Sequence, residues 1–416
     1  MDINHSKTFC IWPWIGLEIN ADSTTRPCCS WNSSLVDLNK KEYSVVDSTI
    51  EDIRNCDQLQ QLRTDLLNGV KNPLCNQCWS QEAVPGRRSL RTDSNKQYHQ
   101  YIKSKEFTNH VEELHTIGIA LGNICNLSCR ICGPWASSVW TSDELKIMPR
   151  EQWPGTLEQK MLSAGQWPRK TKTFWSNFEQ ASSQLKEIRL YGGEPLLIPS
   201  QKQILQYLVD SKLSGEIHLT YNTNGTIFPE ELIPYWTLFK KVSVCVSIDN
   251  IGKKFEYERN LATWENLLCN LDKFGKLQEQ HRNIELMCVT TVSVFNVLDL
   301  VDVAHWISQY HFKAGVFWNI LHEMKCFCIA RVQEPFKVQI EEHLLRAMQQ
   351  RPSAHDREIH NVIQFMHNQT GTQDDYDTLT REITRIDKFR QQWLGDSHPE
   401  LAELLGMPPQ KFAENS

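Results

Sequence analysis

Three cysteines stand close together in the chain, and their spacing is typical of metal ligands. Cys125, Cys129 and Cys132 form a C-x3-C-x2-C triplet directly after an apolar stretch at residues 115–121. Three thiolates at this spacing can bind three corners of a cubane iron–sulfur cluster. Because no fourth cysteine lies nearby in the sequence, the fourth iron would stay open for another ligand. The triplet therefore predicts a cluster with one reactive corner.

The same three cysteines also suit tetrahedral zinc, which is the alternative interpretation. A closed zinc site needs a fourth ligand, and the nearest histidine is His115. That histidine would lie at the far end of the preceding strand. The triplet therefore favours a cluster over zinc, and the surrounding sequence has to support that choice.

The triplet resembles the signature of the radical S-adenosylmethionine (SAM) enzymes. In that superfamily the open iron chelates the amino and carboxylate groups of the cofactor's methionine. An electron from the cluster splits the sulfonium, and a 5'-deoxyadenosyl radical then abstracts hydrogen from a substrate. The resemblance implies SAM as cofactor and one site-differentiated 4Fe-4S cluster. One departure is Ile131, where the superfamily usually carries an aromatic residue, and an isoleucine can still shield the cluster.

A second motif follows the next predicted strand. Gly192, Gly193, Glu194 and Pro195 resemble the GGEP motif of the same superfamily. Glycines let the backbone approach a ligand closely, and strand-end carbonyls together with Glu194 can accept hydrogen bonds from the methionine ammonium. Alone, these four residues are a turn. One strand after the cysteine loop, they indicate a cofactor site.

Polar residues at the next two strand ends complete the predicted cofactor site. Asn222 and Asn224 resemble the polar strand end that contacts the methionine or ribose in relatives, although a polar turn into a helix is an equal alternative. Strand alternation puts Ser247 and Asp249 on one face, and Asp249 can bind a ribose diol. The resemblance makes Arg259 the partner of the methionine carboxylate, a role that suits a planar guanidinium.

These motifs need a scaffold of strands and helices to bring them together. From residue 115 onwards, apolar β-branched runs alternate with helical patterns, which is typical of repeated βα units around a parallel sheet. Six strands are predicted, at residues 115–121, 187–191, 216–221, 241–248, 284–292 and 314–320. Helices are predicted at residues 201–212, 229–240, 261–277, 296–310, 338–350, 356–366 and 377–394. The candidate residues then fall at carboxyl ends of strands, where α/β barrels place their chemistry.

A second set of cysteines occupies the first hundred residues. Cys10, Cys28, Cys75 and Cys78 stand in segments that resemble a twitch domain, the shortened relative of the SPASM domain. The resemblance implies that these four bind one auxiliary 4Fe-4S cluster, with Cys29 as the substitute for Cys28. A zinc ribbon on the same cysteines is the alternative, and their spacing does not reject it. Ser23 replaces a family glycine that supports a hairpin turn, so the geometry of that turn is in question.

The predicted fold class is α/β, with three domains. A partial (β/α)6 radical SAM barrel at residues 110–325 follows the twitch or SPASM-like domain at 1–100, and a helical extension occupies 330–416. The chain has 416 residues, of which 40% are hydrophobic and 23% charged, enough for one barrel-sized domain with smaller units attached.

Composition also bears on location and partners. No apolar run is long enough to cross a bilayer, and the first residues lack the pattern of a signal peptide. Fourteen cysteines without an export signal favour a reducing compartment, so we predict a cytoplasmic protein. A net charge of −6 gives no general attraction to phosphate backbones, and nucleic acid is not indicated. The resemblance implies an electron donor such as a flavodoxin or ferredoxin.

The sequence thus predicts a radical SAM enzyme that abstracts hydrogen from an unidentified peptide or small molecule. The alternative is a non-catalytic binding protein on an αβ scaffold, stapled by zinc or a cluster. That alternative explains the cysteines but leaves Gly192–Pro195 and Asp249 without a role.

Overall fold

The computed structural model describes residues 6–31, 33–83, 88–147, 165, 167–322 and 324–407. Its strands are β1 Gly16–Ile19, β2 Thr25–Arg26, β3 Thr116–Ala120, β4 Glu187–Tyr191, β5 His218–Thr223, β6 Lys241–Ser247, β7 Ile284–Val292 and β8 Val316–Ile320. Within the described residues these eight strands form one sheet, in the order β2-β1-β3-β4-β5-β6-β7-β8. β2 is antiparallel to β1, and every other neighbouring pair is parallel. The predicted α/β class is confirmed.

Helices lie between the strands and continue beyond the sheet. They are α1 Trp12–Ile15, α2 Ile50–Arg54, α3 Asp57–Leu67, α4 Asn76–Glu82, α5 Leu90–Gln97, α6 His99–Ser104, α7 Ser138–Ile147, α8 Trp167–Lys170, α9 Lys172–Ser182, α10 Ser200–Asp210, α11 Ile233–Trp236, α12 Gly252–Glu258, α13 Trp264–Gln280, α14 Leu300–Ser308, α15 Glu334–Gln350, α16 Asp356–Met366, α17 Gln373–Arg390, α18 Leu394–Ser397 and α19 Pro399–Leu404. Short 3-10 turns lie at Pro73–Cys75, Pro195–Leu197, Ser214–Glu216, Glu230–Leu232, Val297–Asp299, Lys325–Phe327 and Ile329–Arg331.

The sheet buries one face under helices and leaves the other partly open. Along β7, buried residues alternate with half-buried ones, as expected for a strand whose side chains point to opposite faces in turn. One row of register partners across the sheet is fully apolar and buried: Leu17, Ile117, Ile188, Leu219, Val242 and Ile284. Apolar residues of α10 and α13 pack in the same core. The partly open face is therefore the one available to a ligand.

All six predicted strands are present, and two further strands were missed. β4 and β7 have the predicted bounds, whereas β5 ends two residues later than predicted. β1 is only four residues long and follows a one-turn helix, so it has too little alternating pattern to be recognised. It pairs in parallel with β3, so the first hundred residues contribute to the sheet. The division of the chain into three domains stays a prediction.

The turn between β1 and β2 forms despite the missing glycine. Ser23 adopts a left-handed backbone conformation, with φ of 75°, which costs a residue with a side chain more than it costs glycine. Its hydroxyl lies 2.8 Å from that of Ser44. Serine therefore holds the turn geometry that a glycine would adopt more easily.

The helices after β8 pack on the carboxyl-terminal part of the sheet. A second apolar core joins the ends of β7 and β8 to α15, α16 and α17, through residues such as Val292, Ile320, Leu344, Ile359 and Ile383. In the described part of the chain, no helix combines the length and apolar character needed to cross a membrane. The carboxyl-terminal helices thus extend the scaffold around the strand ends.

Gly118 on β3 is required by its neighbour on β1. A β-carbon on Gly118 would lie 1.9 Å from a carboxylate oxygen of Glu18, whose side chain is buried and bonded to the hydroxyl of Tyr191. We expect Gly118→Ala to lower the free energy of unfolding by about 1–3 kcal/mol, because the core has to accommodate an extra methyl group. Urea unfolding measures this. The control is Gly215→Ala, where nothing lies within 4 Å of the new atom, and equal stability of the two variants would contradict the packing argument.

Candidate active site

The cysteine triplet lies in the loop that follows β3, and neighbouring elements hold this loop from two sides. The backbone N–H of Arg130 donates to the carbonyl of Glu258 at 2.7 Å, at the end of α12. On the other side, the indole of Trp140 in α7 donates to the carbonyl of Cys129 at 2.6 Å. All three cysteines are free thiols of intermediate exposure. The loop is therefore fixed through its backbone, with the sulfur atoms left as available ligands.

The environment of the three thiols disfavours bare thiolates. Burial raises the pKa of Cys125 to about 12, and burial likewise raises the pKa of Cys129 and Cys132. Thiolates in such a place need positive charge close by, which the iron of a cluster supplies. The donor set of three thiolates from one loop fits a cubane cluster with an open corner. Among the described residues, no three His, Cys, Asp or Glu side chains are arranged to hold a single metal ion.

The Gly192–Pro195 motif fastens the cysteine loop to the end of β4. The N–H of Gly193 donates to the carbonyl of Gly122 at 3.1 Å, and the N–H of Glu194 donates to that of Ile124 at 2.7 Å. A β-carbon on Gly193 would lie 2.1 Å from the carbonyl oxygen of Ile124. Gly192 has φ of 115°, which favours glycine. The two glycines thus allow the two strand ends to touch.

Glu194 is fully buried, and both of its carboxylate oxygens are bonded to the protein. One accepts from the hydroxyl of Thr223 at 2.8 Å, and the other accepts from the N–H of Asn224 at 2.8 Å. Burial raises the pKa of Glu194 to about 7 despite these bonds. The carboxylate therefore connects the end of β4 to the end of β5. Its predicted contact with the methionine ammonium stays a prediction.

The two asparagines at the end of β5 have different surroundings. Asn224 is buried and donates to the side chain of Asn126 at 2.9 Å, and its amide nitrogen lies 4.0 Å from the sulfur of Cys125. Asn222 is exposed. Ser247, at the end of β6, is half-buried. Asn126 was not predicted as a site residue, although its place between two of the three cysteines was a signal that it contacts the site.

Asp249 and Arg259 form a buried ion pair beside the cysteine loop. Their nearest atoms are 2.6 Å apart, and the second oxygen of Asp249 accepts from the N–H of Thr291 at 2.8 Å. Arg259 also approaches the sulfur of Cys129, with 3.9 Å between nitrogen and sulfur. Its Nε has no hydrogen-bond partner in the described structure. Arg259 is thus positioned next to the triplet, and the ribose role of Asp249 stays a prediction.

The four cysteines predicted to bind an auxiliary cluster line one cavity. Cys10, Cys28, Cys75 and Cys78 face it together with Trp12, Trp31, Trp79 and Arg91. Burial raises the pKa of Cys75 to about 12 and also raises the pKa of Cys78. Cys29 is exposed and is not part of this lining. The described structure therefore brings together the four residues chosen from the sequence, with Cys28 rather than Cys29 among them.

Comparison with known families finds a match in the central part of the chain. Residues 119–301 match the radical SAM superfamily. The matched residues include the cysteine triplet, the Gly192–Pro195 motif, the Asn222–Asn224 strand end and the Asp249–Arg259 pair. The match supports the prediction that this chain is an enzyme that uses SAM. No curated protein matches the chain.

Several solved structures share weak similarity with the chain. For anSMEcpe with bound AdoMet and a Cp18Cys peptide, identity is 14% over 50% of this chain and 50% of that one, with a TM-score of 0.32. For SuiB of Streptococcus suis bound to S-adenosylmethionine, identity is 13% over 65% of this chain and 53% of that one, with a TM-score of 0.34. The chain spans about half the length of these two proteins, and likenesses at such TM-scores carry no argument about function.

The Asp249–Arg259 pair gives a direct test of the site's construction. We expect Asp249→Asn to lower the free energy of unfolding by about 3 kcal/mol, because it leaves the guanidinium of Arg259 buried without its counter-charge. Urea unfolding of the metal-free protein measures this loss. The matched control is Asp302→Asn, which breaks a half-exposed pair with Arg351 and should cost less than about 1 kcal/mol. Equal losses in the two variants would contradict the structural role of the buried pair.

Proposed function

We propose that this chain is a radical SAM enzyme that acts on a peptide or small-molecule substrate. The observation that carries the proposal is the meeting of two motifs at the strand ends: Gly193 and Glu194 bond directly to the cysteine loop. Either motif alone has an ordinary structural explanation. Their contact at the carboxyl edge of a mostly parallel sheet, within the residues that match the radical SAM superfamily, favours a single cofactor site.

In this proposal the chain's own residues bind and orient the reacting groups. Cys125, Cys129 and Cys132 hold the 4Fe-4S cluster, and Arg259 offers its unpartnered Nε to the methionine carboxylate. When bound, the cluster and SAM supply the chemistry, which is reductive cleavage to a 5'-deoxyadenosyl radical and abstraction of hydrogen from the substrate. Trp140, which is buried against the loop, keeps water from one side of it. The protein thus contributes orientation and exclusion of solvent.

The substrate would bind on the partly open face of the sheet. Asn222 is exposed near the strand ends, and Tyr191 and Ser247 are half-buried, so this face offers hydrogen-bonding groups close to the proposed cofactor. These groups suit either a peptide or a polar small molecule.

The proposal has three further parts. They are a flavodoxin or ferredoxin as electron donor, a partial-barrel description of the sheet, and a cytoplasmic location.

The auxiliary 4Fe-4S cluster is a separate part of the proposal, together with the twitch-like or SPASM-like description of the first hundred residues. Four thiols around one cavity can close all four corners of a cubane cluster, which suits storage or transfer of an electron rather than binding of SAM. Tetrahedral zinc on the same four thiols is the alternative. Metal analysis distinguishes these two.

The rival function is binding without catalysis, in a protein whose fold is stabilised by zinc or by a cluster. To test it, wild type and a Cys125→Ala, Cys129→Ala, Cys132→Ala triple variant are reconstituted anaerobically, iron is quantified, and 5'-deoxyadenosine is assayed with dithionite. We expect about eight irons in wild type and about four in the variant, which should produce no 5'-deoxyadenosine. Cys269→Ala, an exposed cysteine outside the site, is the control. Zinc without iron, and no cofactor cleavage in wild type, would favour the rival.

The choice between Cys28 and Cys29 is a further test. Because Cys28 lines the cavity and Cys29 does not, we expect Cys28→Ala to lose the auxiliary iron while Cys29→Ala retains it. Iron content of the two variants in the triple-alanine background measures this without interference from the catalytic cluster. The opposite pattern would mean that Cys29 is the ligand.

A further inference from the structure

Three arginines lie in or beside the cysteine loop, and they differ in how their charge is balanced. Arg259 pairs with Asp249 at 2.6 Å, and Arg130 pairs with Asp387 at 2.7 Å. For Arg390, at the end of α17, the nearest carboxylate oxygen is that of Asp143, at 3.6 Å, which is beyond hydrogen-bond range. Arg390 is thus the least compensated cation of the three.

The guanidinium of Arg390 is buried without hydrogen bonds. Its side chain is only 4% exposed, and Nε, Nη1 and Nη2 have no hydrogen-bond partner among the described residues. Burial and the nearby charge of Arg130 lower the pKa of Arg390 to about 10, so it stays positive at neutral pH. A buried charge with unused donors is costly, and such a group usually serves a ligand or counter-charge.

The contacts of Arg390 lead directly to the cysteine loop. Its guanidinium lies over the ring of Trp140, 4.6 Å from the centroid. The indole N–H of Trp140 donates to the carbonyl of Cys129 at 2.6 Å. Cys132 packs against the apolar core that contains Trp140 and the inner side of α17.

We infer that Arg390 is a positioning residue for the catalytic cluster. Its guanidinium stabilises the reduced cluster and thereby raises the reduction potential of the cluster. The inference rests on the proposed function, because it needs a cluster on Cys125, Cys129 and Cys132. Three thiolates outweigh the positive charge of a 4Fe-4S core, so the assembly is anionic and gains one further negative charge on reduction. A nearby buried cation therefore favours the reduced form.

The carboxyl-terminal helices gain a specific role from this assignment. Arg390 comes about 260 residues after the triplet, yet it reaches the cysteine loop because α17 packs against α7. A basic residue in the last turn also interacts favourably with the helix dipole, which is a purely structural explanation for an arginine here. A structural role alone would leave the reduction potential unchanged.

The test is a reductive titration of the reconstituted protein, followed by EPR spectroscopy, in wild type, Arg390→Gln, Arg390→Lys and Arg385→Gln. The variants are made in a Cys28→Ala, Cys75→Ala background, so that only the catalytic cluster is titrated. We expect Arg390→Gln to shift the equilibrium about tenfold towards the oxidised cluster, which is about 59 mV for one electron. Arg390→Lys keeps the charge and should shift less. Arg385→Gln, on the same helix and also paired with α7, should match the parent.

Asp143→Asn provides a second test with the opposite sign. Removing this carboxylate leaves Arg390 even less compensated, so the equilibrium should move towards the reduced cluster. This variant also decides the question if Arg390→Gln does not fold. Unchanged potentials in Arg390→Gln, or in Asp143→Asn when the former does not fold, would overturn the inference. Absence of any cluster in the parent protein would instead refute the proposed function.

Discussion

The candidate site depends on two backbone hydrogen bonds between neighbouring strand ends. They join Gly193 to Gly122 and Glu194 to Ile124, and so fix the loop that carries the three cysteines against the turn after β4. A side chain at Gly193 would occupy the space of the loop backbone. Glu194 then extends the connection to β5 through Thr223 and the backbone of Asn224. The ends of three parallel strands are thereby held as one unit.

Burial of charge is the second constraint on this site. The loop packs against apolar cores and also has buried ion pairs beside it. Each pair needs good geometry to offset the loss of hydration. Two contacts stabilise the buried charge of Arg130. It forms an ion pair with Asp387, and it stacks on the ring of Tyr257, 3.5 Å from the ring centroid. Because Asp387 belongs to α17, the carboxyl-terminal helices help to determine the electrostatics of the loop as well as its packing.

Local sequence patterns predicted much of the fold, and the family resemblance proposed the residues of the site. The apolar, β-branched runs predicted the bounds of β4 and β7 correctly, because the alternation of buried and less buried residues along a strand is a local sequence pattern. The four amino-terminal cysteines that the family resemblance proposed as ligands line one cavity. In contrast, β1 is too short to leave a clear pattern. Its buried Glu18, which fits only because residue 118 is a glycine, depends on a pairing about a hundred residues apart.

The roles of individual side chains were harder to foresee, because they depend on contacts between distant parts of the chain. Nothing in the sequence around Glu194 indicates that one of its oxygens accepts from Thr223 of β5 and from Leu196 in its own turn, while the other accepts from Asn224. Asp387 and Arg390 carry no recognisable motif, and their relation to the cysteines is visible only when α17 is packed against the loop.

The most direct test of the account is EPR spectroscopy of the dithionite-reduced protein before and after addition of SAM. A site-differentiated cluster on the three cysteines should give a signal of a reduced 4Fe-4S cluster whose g-values change when the methionine binds its open iron. That change should disappear in the Cys125, Cys129, Cys132 triple alanine variant. A wild-type signal that is indifferent to SAM, or no iron signal in a zinc-loaded protein, would contradict the central claim.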